Sequence, residues 1–142
     1  FDTTRAITNM LYTGMLAKYP NIRWIMPHMG GVAPFLLFRL SGLDDDPKVH
    51  ENVPEGVATY LKRLYYDVAQ SPSRLALQAL LEVADPSRIM FGTDYPSARN
   101  VEKVMRDTVE AVRSFEGFDD ALRQKVMAAN AQAIFPRFAR LQ

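Results

Sequence analysis

Phe91-Gly92-Thr93-Asp94-Tyr95-Pro96 closes a short apolar run, Ile89-Met90-Phe91, with a carboxylate set between a glycine and a proline. A strand that ends this way presents Asp94 at its carboxyl tip. In barrels and open sheets of parallel strands, the loops after those tips form the mouth of the fold, and active sites are built there. The same layout occurs earlier, in Asn21-Ile22-Arg23-Trp24-Ile25-Met26-Pro27-His28-Met29-Gly30-Gly31, with histidine in place of aspartate. Two polar side chains therefore crown two predicted strands.

Working outward, apolar residues at spacings of three and four (Ala6, Ile7, Met10, Leu11, Met15, Leu16) predict an amphipathic helix over 4–17. Ile22–Met26 reads as a buried parallel strand, short and β-branched, bounded by prolines. Gly30-Gly31 fits a tight turn where backbone amides approach a ligand, or one that only relieves crowding. The almost wholly apolar run Val32–Leu43, with Pro34 suited to a first turn, predicts a buried helix. Leu43-Asp44-Asp45-Asp46-Pro47 reads as a turn-rich acidic loop, and Val53-Pro54-Glu55-Gly56 opens a short helix.

Leu64–Val68 is the second predicted strand. Ser71-Pro72-Ser73 starts a helix that runs to about Ala84, and Arg88–Gly92 is the third strand. Asn100 caps a helix through Val112 that Gly117 ends, and 119–133 forms one or two more helices with Asn130 as the break. Strands alternating with helices specify right-handed βαβ units and a parallel sheet. Three strands are few for such a sheet, which needs both faces and both edges covered. The pattern is that of part of a larger α/β domain.

The 142 residues are 48% hydrophobic and 11% aromatic, enough to bury a core. Seventeen basic against sixteen acidic residues leave a net charge of +1 with no like-charged block, which argues against nucleic acid as a partner. No apolar run approaches the roughly 20 residues that span a bilayer. A soluble, cytoplasmic protein with no membrane partner is expected. With no cysteine, any metal must be held by nitrogen and oxygen. The chain opens on Phe1 rather than methionine, so the numbering is expected to start inside a longer gene product.

Asp94 can serve as a metal ligand or general base, or it can be a turn residue bonding its own backbone. His28 can be a ligand or an acid/base group, or a buried histidine satisfied by backbone groups. The pair belongs to one cleft only if both side chains face it. A separation beyond about 12 Å would exclude that, given ligand bonds of about 2 Å on each side of a metal plus substrate.

His28-Met29-Gly30-Gly31 with Pro34 and Arg39, then Tyr65-Tyr66-Asp67-Val68, Phe91–Pro96, and the late Asn130-Ala131 with Ile134-Phe135, in that order, resemble the amidohydrolase superfamily. The nearest branch is the amidohydrolase-related one, which contains aminocarboxymuconate-semialdehyde and resorcylate decarboxylases. The resemblance implies a (β/α)₈ TIM barrel of which residues 1–142 are the carboxyl-terminal part, about three parallel strands with flanking helices. It implies Asp94 as the metal ligand after the last strand, His28 as acid/base, and Arg39 as an arginine that reaches a substrate carboxylate, sometimes across a dimer interface. The cofactor implied is a divalent metal, zinc or else manganese. The partners implied are a small carboxylated or aromatic substrate and a second copy in a homodimer.

The chain departs from the family pattern in one large respect. Its histidines are His28 and His50, and His50 lies in a polar stretch; the family's His-x-His pair and its fifth-strand histidine have no counterpart. The expectation is a metal-dependent decarboxylase or hydrolase whose site this chain completes only in part. The alternative is a non-catalytic α/β module in which His28 and Asp94 are structural.

Overall fold

Three short strands, β1 (Ile25–Met26), β2 (Tyr65–Asp67) and β3 (Ile89–Met90), pair in the order in which they occur, all parallel, in a computed structural model that describes residues 1–70, 73–97 and 100–138. Ile25 faces Tyr65 and Met26 faces Tyr66; Tyr66 in turn faces Ile89, and Asp67 faces Met90. The predicted strands were longer, but their flanks still add to the ladder: Tyr65 N donates to Trp24 O at 2.9 Å and Val68 N to Met90 O at 3.0 Å. All three strands therefore end on one edge, and His28, Asp67 and Asp94 lie at or just past their tips.

Helix α1 (Asp2–Tyr12) turns Ile7, Met10 and Leu11 onto the core. The helix predicted over 4–17 is broken, with α2 (Met15–Lys18) following separately. Gly14 stands between them at φ +72°, a left-handed conformation natural to glycine, and a Cβ there would meet the Asn52 side chain at 2.7 Å. Asn52 also donates to Tyr12 O at 3.0 Å, satisfying a carbonyl at the helix end.

The buried helix expected over 32–43 is not formed. After β1 the chain turns through four consecutive left-handed residues, His28 to Gly31, and only α3 (Leu37–Ser41) is α-helical. Ala33 and Leu40 are buried, but Phe35 and Phe38 are 72% and 91% exposed. Hydropathy marked the segment as apolar without saying which face meets the core.

The acidic loop leads into an unforeseen helix, α4 (Pro47–Asn52), started by Asp46 accepting from Lys48 N at 2.8 Å with Pro47 in the first turn. Asp44 accepts from Val57 N at 3.1 Å and so caps α5 (Val57–Arg63). Of the predicted Ser71-Pro72-Ser73 start, Ser71 and Pro72 lie outside the described residues. Ser73 caps α6 (Arg74–Val83) by accepting from Ala76 N at 3.1 Å.

Asn100 caps α7 (Val101–Ser114) as expected, accepting from Lys103 N at 3.1 Å. The helix stops at Ser114, short of Gly117, where the buried rings of Phe115 and Phe118 meet edge to face, 4.9 Å apart. The expected break at Asn130 is absent. Helix α8 (Asp120–Gln124) runs through a π-turn, Lys125–Ala129, into α9 (Asn130–Ile134), and Asn130 has helical angles.

Tyr66, Leu61, Leu77, Leu80, Ile89 and Val126 are fully buried at the centre of one apolar cluster, to which α1, α5, α6 and α7 also contribute. Burial pushes the Tyr66 phenol well above the ordinary tyrosine range, and its hydroxyl donates to Leu61 O at 2.8 Å. Among the described residues, no helix is long and apolar enough to cross a membrane.

Candidate active site

His28 Nε2 lies 3.7 Å from Asp94 Oδ1, far inside the limit for a shared cleft. The two side chains are 35% and 28% exposed, so both lie at the surface of this edge, with the Nε2 atom of His28 itself turned away from solvent. The fold brings them together from the tips of β1 and β3, with β2 between.

Each is held by its neighbours. Asp67 Oδ1 accepts from His28 N at 2.8 Å and from Ala69 N at 3.0 Å, so the tip of β2 pins the backbone at the tip of β1. Gly92 allows β3 to close on the same carboxylate: a Cβ there would fall 3.0 Å from Asp67 Cβ. Phe91 N donates to Val126 O in the π-turn at 2.8 Å. Asn130 Nδ2 donates to Pro86 O at 2.9 Å and to Ile89 O at 2.8 Å, fixing the strand that carries Asp94.

The turn after Asp94 closes through its backbone, with Ser97 N donating to Asp94 O at 2.8 Å. Among the described residues the Asp94 carboxylate bonds no backbone amide; Gln70 Nε2 donates to its Oδ2. His28 Nε2 is sheltered from solvent and has no hydrogen-bond partner. One imidazole nitrogen and one carboxylate oxygen are thus left facing each other.

Four non-glycine residues have positive φ among those described, and all lie on this edge: His28 (+54°), Met29 (+56°), Gln70 (+51°) and Asp94 (+60°). Each costs on the order of 1 kcal/mol relative to an ordinary conformation, and such residues collect at functional sites. Gly30 and Gly31 continue the left-handed turn. A Cβ on Gly30 would strike the Tyr66 ring at 2.9 Å, and one on Gly31 would strike Thr4 Oγ1 at 2.7 Å. Close packing accounts for both glycines.

Arg39 is exposed on α3, and no hydrogen bond or ion pair ties it to His28 or Asp94. His50, on exposed α4, takes no part. Sequence reasoning missed Asp67 and Gln70 as site residues. The ending Tyr-Tyr-Asp repeated the strand-tip carboxylate already noticed at Asp94, and so pointed to Asp67; nothing in the local sequence pointed to Gln70.

Among the described residues no group of three or more histidine, aspartate or glutamate side chains is placed to hold a metal. The nitrogen and oxygen donors of His28 and Asp94 suit a divalent ion in kind, but fall short of the three protein ligands of a catalytic zinc. A cleft of about 430 Å³ lies at the other end of the strands among Trp24, Tyr60, Arg63, Leu64, Tyr65 and Arg88. That end of a parallel barrel serves stability rather than chemistry.

The chain is 31% identical over 137 residues to a 6-methylsalicylic acid decarboxylase from Penicillium expansum, covering 96% of this chain and 41% of that one. It is 25% identical over 132 residues to a 2-amino-3-carboxymuconate-6-semialdehyde decarboxylase from Dictyostelium discoideum, covering 92% and 35%. A dihydroxybenzoic acid decarboxylase from Polaromonas sp. JS666, solved with bound manganese and an inhibitor, superposes with a TM-score of 0.71 at 21% identity, covering 94% and 39%. The chain thus spans about two-fifths of the length of the relatives it matches, and its fold is a portion of the α/β barrel of these enzymes. The sequence pattern of the amidohydrolase family matches residues 2–137, and the chain belongs to that family.

Proposed function

We infer that residues 1–142 form the carboxyl-terminal part of a complete barrel that removes a carboxylate from a small carboxylated aromatic compound as carbon dioxide. The observation that carries this is the 3.7 Å approach of His28 Nε2 to Asp94 Oδ1 across three parallel strand tips. Decarboxylases among the relatives support this reaction over hydrolysis.

In this reading Asp94 is a metal ligand and His28 the acid/base group. The remaining ligands come from parts of the barrel outside this chain, and the ion is zinc or manganese. Bound there, a divalent ion would neutralise substrate charge and polarise it as a Lewis acid. His28, left unpartnered at Nε2, delivers a proton to the ring carbon that bears the carboxylate. The carbon–carboxylate bond then breaks and its electron pair returns to the ring, so that one proton is taken up for each carbon dioxide released. Asp67 keeps His28 in register by holding its amide. Arg39, exposed and without an ion-pair partner among the described residues, meets a substrate carboxylate. Its neighbours Phe35 and Phe38 are exposed as well, which favours a second copy covering this face in a homodimer.

The test is product analysis of the complete barrel with hydroxylated benzoic acids. Carbon dioxide released without addition of water is expected, and a hydrated or hydrolysed product would refute the reaction assigned. His28→Ala should lower kcat by about 10²–10⁴, the usual worth of a positioned proton donor. Full activity in His28→Ala or Asp94→Asn would favour the non-catalytic alternative.

A further inference from the structure

The geometry points to Gln70 as a positioning residue that fixes the Asp94 carboxylate, an inference that rests on the reading of Asp94 as a site residue. Gln70 lies just past the tip of β2, two residues after Val68, and its Nε2 donates to Asp94 Oδ2. That bond occupies one carboxylate oxygen and leaves the other, Oδ1, turned toward His28 Nε2. A carboxylate held by a single exposed turn is otherwise free to rotate about its last bond, exchanging the two oxygens.

The backbone strengthens the case. Gln70 sits at φ +51° on the surface, in a conformation that glycine adopts freely and a long unbranched side chain does not. Glycine there would relieve the backbone and cost no packing, since the side chain is exposed. What the glutamine adds at that position is its amide, and the amide is spent on Asp94. Asp67 fixes the main chain of His28 from the same strand end. The tip of β2 thus orients both partners, one through its backbone and one through its carboxylate.

The experiment uses the complete barrel with Gln70→Gly and the equally long Gln70→Glu, and Asp94→Asn as reference. Thermal midpoint, kcat, KM and Mn²⁺ affinity, the last read from the electron paramagnetic resonance of free Mn²⁺, are measured for each. Gln70→Gly should melt at or above the parent temperature while kcat and Mn²⁺ affinity fall about 10- to 100-fold, the usual effect of losing a group that orients a ligand. KM should stay unchanged. Gln70→Glu, which sets a carboxylate against a carboxylate, should lose at least as much. Parental kcat and Mn²⁺ affinity in either variant would overturn the role of Gln70, provided Asp94→Asn is inactive. An active Asp94→Asn would instead overturn the reading of the site itself.

Discussion

Removing the Asn130 side chain tests whether the last helix holds the strand that carries Asp94. The side chain is buried, and its Nδ2 donates to Pro86 O at 2.9 Å and Ile89 O at 2.8 Å. Asn130→Ala strips both carbonyls of that donor and opens a small void. An unsatisfied buried acceptor costs about 1–3 kcal/mol, so with the more exposed Pro86 carbonyl at the lower end the sum is about 3 kcal/mol. For a chain of this size that lowers the thermal midpoint by roughly 10 °C. Asn130→Asp keeps the volume but turns an acceptor toward two acceptors, so at neutral pH it should cost more than alanine. Urea unfolding followed by circular dichroism measures all three proteins. If Asn130→Ala unfolds within about 0.5 kcal/mol of the parent, as an ordinary surface substitution would, the clamp does not exist. If aspartate proves milder than alanine, the void and not the hydrogen bonds sets the cost.

Gly30→Ala forces a Cβ to 2.9 Å from the fully buried Tyr66 ring at φ +76°, and should cost about 2–4 kcal/mol from overpacking and backbone strain together; an unchanged urea midpoint would show that the left-handed turn is not rigid. Tyr66 keeps its proton in the folded state to a higher pH than in the unfolded chain. Stability therefore holds below the ordinary tyrosine value near 10 and falls as pH rises through it, because the unfolded chain releases a proton that the native one retains. Tyr66→Phe should lose about 1 kcal/mol at neutral pH with the bond to Leu61 O, and should flatten that alkaline decline. Equal declines in variant and parent would assign the effect to other groups.

What could be read from the sequence, and what could not, divides along physical lines. His28 and Asp94 were legible because strand ends carry local marks: an apolar run before them, and proline or glycine beside them. The caps at Ser73 and Asn100 were legible for the same reason, since a cap is an interaction within four residues. The run 32–43 was misread because composition reports apolarity, not the direction in which a side chain points; Phe38 is as apolar as Phe118, yet one is exposed and the other buried. Asn130 was misread because asparagine is a poor helix former in isolation. Its two bonds to the carbonyls of Pro86 and Ile89, 44 and 41 positions earlier, override that propensity, and nothing near it in sequence encodes them. Gln70 was invisible because its meaning is a backbone angle and a contact across 24 positions.

The distribution of strain and support in this fold favours a site over a fortuitous turn cluster. Four of the described non-glycine residues adopt left-handed angles at the strand tips, at a combined cost of several kcal/mol. A turn under no functional constraint could relieve most of that with glycine, as the chain does at Gly14 and Gly56. The strain is instead held in place from beneath by groups that face inward: Asp67 on the His28 amide, Val126 O on the Phe91 amide, and Asn130 on the start of β3. It follows that the two layers should respond oppositely. Substitutions in the supporting layer lower stability and function together. Glycine at Gln70 should spare or raise stability and lower only function, the trade expected where a fold stores strain for chemistry.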